Sequence, residues 1–122
     1  SDVPVGALQF EIDYQSIGDS FVGSGGTVEC VSLVHAGTFA AFYDHEESRV
    51  VSAAFINLTG IGGAGPVGLM RCALAVGGVL PTATDFTIVV TDVSDIDLVP
   101  VDPPPLVRVS RIEITGGGFP LR

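Results

Sequence analysis

The sequence predicts an all-β protein, a sandwich or a barrel of short strands. Apolar residues alternate with mostly polar ones over 7–14, the period of a half-buried strand. One face of that strand carries Leu8, Phe10, Ile12 and Tyr14. The 16 glycines and the low charged fraction of 16% suit strands joined by tight turns better than helices. Strand-like runs recur between turn residues, and no segment sustains a helical period.

The other strands are predicted in order from the same signals. After 7–14, a Ser- and Gly-rich connection holds one short apolar pair at 21–22. Further strands are predicted at 27–34, 38–43, 50–58, 67–76, 85–91 and 106–115. The breaks between them are rich in Gly, Pro, Asp and Ser, which favour turns. The alternation changes phase within 106–115, which predicts a β-bulge and an edge position for the last strand.

The predicted domain covers residues 1–115, and the Gly-rich segment 116–122 is predicted to be a flexible tail. Phe119 and Leu121 of this tail form a small apolar hook that we expect to bind a partner. The strand at 7–14 is too apolar for a bare edge, so we expect it near the centre of its sheet. Few residues precede it, so we expect its local partner to be absent. Three explanations for the missing neighbour stay open: an edge that is tolerated without a partner, pairing with the C-terminal strand, and pairing with a strand from another chain.

The charge balance excludes two classes of partner. A formal net charge of −9 and a pI near 4.2 would repel phosphate backbones and anionic lipid surfaces. The stretch between Arg49 and Arg71 has no charged residue, but a cluster of Gly and Pro splits it into two strands and a loop. We therefore expect neither nucleic-acid binding nor membrane insertion.

The sequence offers little for catalysis and one candidate metal site. His35 and His45 lie in predicted turns, away from any recognisable nucleophile motif, so no enzyme is expected. Three carboxylates in one predicted loop suggest a calcium site, against the alternative of a solvated acidic loop. They are Asp92, Asp95 and Asp97. No other cofactor is expected. The acidic turn 44–48 is interpreted as a solvated hairpin turn. Separately, Asn57 is the first residue of a match to the N-glycan acceptor pattern.

The two cysteines, Cys30 and Cys72, each lie in a strand-like run. Neither has a second cysteine or a histidine at the spacing that zinc requires. We predict a disulfide between them, with two buried free thiols in a cytosolic protein as the alternative. A disulfide closing a loop of this size would stabilise the fold by roughly 4 kcal/mol.

The stretches GALQFEIDY, LMRCALAV and TDFTIVVTDV resemble the cohesin-like superfamily of bacterial extracellular β-sandwiches, which includes carbohydrate-binding modules. The resemblance covers most of the chain. It implies an antiparallel, jelly-roll-like (Ig-like) sandwich of about eight to nine strands. It also implies secretion, and a binding or scaffolding role in place of catalysis.

Two functions follow as expectations. The first is a secreted, non-catalytic module for protein–protein assembly or cell-surface attachment, including self-association into a filament or scaffold. The alternative is carbohydrate binding, which uses exposed aromatic rings to stack on sugars. For such a platform the sequence offers Tyr14, Tyr43 and Phe119.

Overall fold

The computed structural model describes residues 5–17, 20–23, 26–34, 37–61, 68–75, 81–102, 106–109 and 112, apart from the side chains of 58 and 59. These ranges contain eight β-strands and one 3₁₀ turn, and no α-helix, so the predicted all-β fold is confirmed. The strands are β1 (Val5–Asp13), β2 (Ser20–Phe21), β3 (Cys30–Ser32), β4 (Phe39–His45), β5 (Val50–Ile61), β6 (Met70–Cys72), β7 (Leu74–Ala75) and β8 (Thr87–Asp95). The 3₁₀ turn, Ala83–Asp85, precedes β8.

β1 lies inside a four-stranded antiparallel sheet with the order β4-β5-β1-β8. Phe10 of β1 faces Ala53 of β5 on one side and Val90 of β8 on the other. The expected central position is therefore confirmed. The place beside β1, for which the sequence leaves open a tolerated edge, the C-terminal strand and a strand from another chain, is filled by β8, which comes from much later in the chain. β1 consequently offers no open groove to a strand of another molecule.

The inner face of this sheet packs against two small antiparallel sheets, β2–β7 and β3–β6. The alternation of β1 puts three apolar side chains inward, Leu8, Phe10 and Ile12. Phe21 and Val28 from the opposite layer join the same core, and the rings of Phe10 and Phe55 stack at 5.9 Å. Burying each such side chain contributes about 1.5–3 kcal/mol. Two layers thus share one core, as predicted for a sandwich.

A first β-bulge lies at the start of β1. Val5 faces Asp95 and Ala7 faces Ser94, so Gly6 is the extra residue. A Cβ on Gly6 would lie 2.7 Å from the carbonyl oxygen of Asp95. Only glycine lets the two backbones approach this closely.

A second bulge lies in the middle of β8. Val90 faces Phe10 and Asp92 faces Gln9, which leaves Thr91 as the extra residue. Thr91 and Asp92 are therefore both exposed, although side chains in a regular strand alternate between faces. The bulge turns the carboxylate of Asp92 away from the core.

Most predicted strand boundaries shift by a few residues, as in β8, which is Thr87–Asp95 where the sequence predicts 85–91, and three predicted runs differ more. The described part of the run 67–76, residues 68–75, contains two strands, because the Ala73 N–H donates to the Glu29 carbonyl and the Ala73 carbonyl accepts the Val22 N–H. Only Cys30–Ser32 of 27–34 is paired as a strand. Of 106–115, residues 106–109 and 112 are not strand, and the rest, with the predicted bulge, lies outside the described residues.

The uncharged stretch after Arg49 begins with a strand. β5 takes Val50–Ile61, and the Gly-rich residues 62–67 lie outside the described part. Within the described ranges, no helix has the length and apolar character needed to cross a membrane.

Candidate binding surface

The outer face of the four-stranded sheet carries exposed apolar side chains along its β4 edge. Phe39 is 72% exposed, and Ile56, which it faces on β5, is 48% exposed. Ala41 and Tyr43 lie on the same face of β4, because residues two apart share a face. We call Phe39, Ala41, Tyr43 and Ile56 the apolar strip. Contiguous apolar side chains in contact with water are typical of interaction sites.

β4 is an edge strand, and of the described residues only Gly26 bonds to its outer side. The carbonyl of Gly26 accepts the N–H of Asp44 at 2.9 Å. Gly26 has a φ of 90°, and a Cβ at this position would overlap the ring of Tyr43. Glycine is therefore required both for the backbone and for the space. This contact holds the Tyr43 ring at one end of the apolar strip.

A buried polar cluster anchors the same end of β4. The hydroxyl of Tyr14 donates to Oδ1 of Asp44 at 2.6 Å, and these residues are only 1% and 3% exposed. The guanidinium carbon of Arg49 lies 4.7 Å from the centre of the Tyr14 ring, a cation–π contact. Burial raises the pKa of Tyr14 above its usual range, and the hydrogen bond and charge of Asp44 raise it further, while Arg49 opposes them.

This cluster corrects two predictions. Asp44 does not belong to a solvated turn, because β4 continues through His45 and carries the Asp44 side chain inward. Tyr14 cannot belong to an exposed aromatic platform, because its ring is buried and meets Phe21 edge-on at 4.9 Å. The alternation of β1 places the Tyr14 side chain inward, where its hydroxyl donates to Asp44.

Arg49 closes the hairpin between β4 and β5. Its φ of 59° is unusual for a residue other than glycine. Its N–H donates to the His45 carbonyl at 2.8 Å, its carbonyl accepts the Tyr14 N–H at 3.0 Å, and its Nη2 donates to the Ile17 carbonyl at 2.8 Å. These bonds join the hairpin to the end of β1.

The hairpin forms a shallow depression of about 480 Å³ beside Tyr43. Its lining consists of Gly26, Tyr43, Asp44, His45, Glu46, Glu47 and Ser48. Glu46 and Glu47 are exposed and bring two negative charges to the site, so we call it the acidic depression. The His45 ring lies 4.6 Å from the Tyr43 ring, and its Nε2 is 3.0 Å from Oγ of Ser52.

The remainder of the outer face carries several acidic side chains and one exposed apolar side chain, Val89 of β8, which faces Glu11 and is 53% exposed. Gln9, Glu11 and Asp13 of β1 point outward, and Asp92 of β8 faces Gln9 on the same side. The four strands of this sheet contain no Lys or Arg. The face therefore combines an apolar strip at the β4 edge with the carboxylates of Glu11, Asp13 and Asp92 farther across the sheet.

The three aspartates of the predicted calcium site do not share one loop. Asp92 and Asp95 belong to β8, and only Asp97 lies in the turn that follows. Oδ1 of Asp95 accepts the N–H groups of Asp97 at 2.8 Å and Val99 at 3.0 Å, which closes the turn. Among the described residues, no group of three or more His, Cys, Asp or Glu could hold a metal ion. Calcium binding stays a prediction, tested by the melting temperature with chelator and with millimolar calcium.

The predicted Cys30–Cys72 disulfide is present and joins β3 to β6. Asn57 is buried within β5, and its Nδ2 donates to Oγ1 of Thr38 at 2.8 Å, so its side chain is not presented as a glycan acceptor. The predicted partner-binding residues Phe119 and Leu121 lie outside the described residues, as does the 116–122 tail.

Phe39 and Ile56 were not predicted as surface residues from the sequence. The signal was present in Phe39-Ala40-Ala41-Phe42-Tyr43, where both alternating faces are apolar although a two-layer sandwich buries only one face of each strand. Comparisons with protein-family models, curated proteins and solved structures found no match to this chain. The resemblance to the cohesin-like superfamily therefore stays a prediction.

Proposed function

We propose that this protein is a non-catalytic binding module for protein–protein assembly or cell-surface attachment. The observation that carries the proposal is the apolar strip, in which Phe39 is 72% exposed beside Ile56 on the outer face of the sheet. Leaving such side chains in water is unfavourable, at about 25 cal/mol for each Å² of apolar surface. A protein partner that covers the strip recovers this free energy.

The nearest approach to catalytic geometry is the pair of His45 and Ser52. Nε2 of His45 is within hydrogen-bond distance of Oγ of Ser52, as in a base and a nucleophile. Among the described residues, no carboxylate hydrogen-bonds to the other ring nitrogen to orient the imidazole. Both side chains also lie on an open sheet face, where water has access. We propose that the contact with Ser52 positions the His45 ring against the Tyr43 ring.

The disulfide supports an extracellular location, because disulfides persist in oxidising compartments. A bacterial source follows from the family resemblance alone. Self-association remains part of the proposal, but it would use the apolar strip, since β1 already has a strand on each side.

The test compares protein capture by three forms of the chain. Phe39→Ser with Ile56→Thr makes the strip polar, and Val31→Thr with Leu33→Thr is the control, because both residues of that pair are also 48% exposed. A partner recovered from extracellular fluid is then purified and titrated against each form. We expect the strip variant to weaken its binding at least tenfold and the control to leave it unchanged. Equal affinities for all three forms, or no partner and no self-association, would refute the proposal.

Carbohydrate binding is the second candidate, and one observation favours it. Phe39 and Tyr43 are exposed on the same face of β4, about 13 Å apart at 3.3 Å per residue. Gln9 and Glu11 lie on the same sheet face and could bond to sugar hydroxyl groups. Titration with soluble oligosaccharides tests this: binding that Tyr43→Ala abolishes would replace the protein-binding proposal.

A further inference from the structure

We infer that the open edge of β4 binds an extended, positively charged segment of a partner protein, which adds as a strand to the sheet. The inference rests on the proposed binding function and specifies the chemistry of the partner. Three features carry it: the hydrogen-bonding groups of the edge, the spacing of the side chains on the apolar strip, and the charge of the acidic depression.

The backbone of β4 presents donors and acceptors at the edge. Its register with β5 runs without a shift from Phe39 to His45. Because the N–H of Asp44 points to the outer side, where it meets Gly26, the N–H and C=O groups of Ala40 and Phe42 point there too. Within the described residues no other backbone group pairs with that side. A strand added along 39–43 would find matching hydrogen-bond partners.

The edge lacks the features that usually prevent strand addition. Protected edges carry lysine, proline, a bulge or an inward-pointing charge. Residues 39–43 contain none of these, and the buried carboxylate of Asp44 comes only at the end of the strand. The small side chain of Ala41 lies between Phe39 and Tyr43 and leaves a notch. An apolar residue of the added strand would fit into it.

The acidic depression specifies a positive charge at the Tyr43 end. Tyr43 offers an aromatic face and Glu46 and Glu47 offer two carboxylates, a combination that suits Lys or Arg. The strands of the sheet contain no Lys or Arg, and Arg49 of the same hairpin directs its guanidinium to the Tyr14 ring and the Ile17 carbonyl. A second copy of this chain is a poorer occupant, because each copy carries a formal net charge of −9.

The experiment uses three capped peptides as probes. The basic probe is Arg-Val-Thr-Val-Lys-Thr, the acidic probe replaces its Arg and Lys with Glu, and the third is the basic probe with every second N–H methylated. Each is titrated into the full chain by fluorescence anisotropy and by amide NMR. We expect the basic probe to bind and to shift the amide signals of Ala40 and Phe42. The other two probes should bind at least tenfold more weakly, and added salt should weaken the binding of the basic probe.

Variants locate the site. The double variant Glu46→Gln with Glu47→Gln should lower the affinity for the basic probe at least threefold. The control, Asp92→Asn with Asp97→Asn, removes two charges at the β8 edge and should change nothing. Equal binding of the basic and acidic probes, equal binding of the methylated probe, or amide shifts confined to β8 would each overturn the inference.

The outcomes separate this inference from the proposed function. If the partner capture described above depends on the apolar strip but no probe binds, the strand-addition inference is wrong and the binding function stands. If the basic probe shifts the β4 amide signals but the captured partner binds the strip variant as tightly as the unmodified chain, the inference stands and the proposed use of the strip is wrong. Sedimentation that shows edge-to-edge dimers with no response to the basic probe would assign the edge to a second copy and overturn the inference.

Discussion

Replacing Tyr14 with Phe removes one oxygen from the core and should lower the free energy of unfolding by about 1.5–3 kcal/mol. The Tyr14 hydroxyl donates to Asp44 at 2.6 Å, and both side chains are buried. The ring itself remains, so its contacts with Phe21 and Arg49 are kept. The loss is that of a donor to a buried carboxylate, which costs more than the loss of an ordinary exposed hydrogen bond.

Urea unfolding at neutral pH, followed by circular dichroism, measures the effect. The midpoint should fall while the slope of the transition stays the same, because the variant exposes the same surface on unfolding. Tyr43→Phe is the matched control, since it removes the same oxygen from an exposed ring and should change the free energy by less than about 0.5 kcal/mol. If Tyr14→Phe changes it equally little, the buried hydrogen bond is not stabilising and the reasoning fails.

The pH dependence of the same pair gives a second readout. The pKa of Tyr14 in the folded state is raised, first by burial and then by Asp44, above the value of about 10 expected in the unfolded chain. The unfolded state therefore loses the phenolic proton first as the pH rises. The stabilisation is complete below about pH 10 and is lost as the pH climbs beyond it, by up to about 1.4 kcal/mol per pH unit. Tyr14→Phe should lack this part of the slope, and equal slopes would contradict the raised pKa.

Three further predictions concern single structural features. Replacing Cys30 and Cys72 with Ser should lower the free energy of unfolding by roughly 4 kcal/mol, and quantitative alkylation of the unreduced native protein would show that the disulfide is absent. In thermal melts Asp95→Ala should lower the free energy of unfolding by about 1–3 kcal/mol, because two backbone N–H groups lose their acceptor. Asp95→Asn keeps an oxygen and should lower it less. Equal losses would show that Asp95 does not stabilise the turn after β8. Gly6→Ala should cost about 1–3 kcal/mol in urea unfolding, since its Cβ meets the Asp95 backbone. In the control Gly68→Ala, the new Cβ makes an ordinary contact at 3.5 Å with Leu33, so a similar loss would contradict the steric argument.

The strands themselves could be predicted from the sequence because their signal is local. The alternation over 7–14 identifies β1 and the face that carries Leu8, Phe10 and Ile12, since a period of two places alternate side chains on one side. The Cys30–Cys72 pairing could also be predicted, because a chain with two cysteines in apolar runs has only one intramolecular pairing. Neither inference needs to know which strand lies next to which.

Strand order and burial depend on contacts between distant parts of the chain. That β8 pairs with β1 and that Gly26 meets Asp44 are decided when the sheets assemble. Asp44 looks like a turn residue in the sequence, and only its placement beside the Tyr14 hydroxyl lets its carboxylate be buried. In the same way, the apolar residues of β4 look like core on both faces. Phe39 is left in water because it lies on the outer face of the sheet, where the described residues form no second layer.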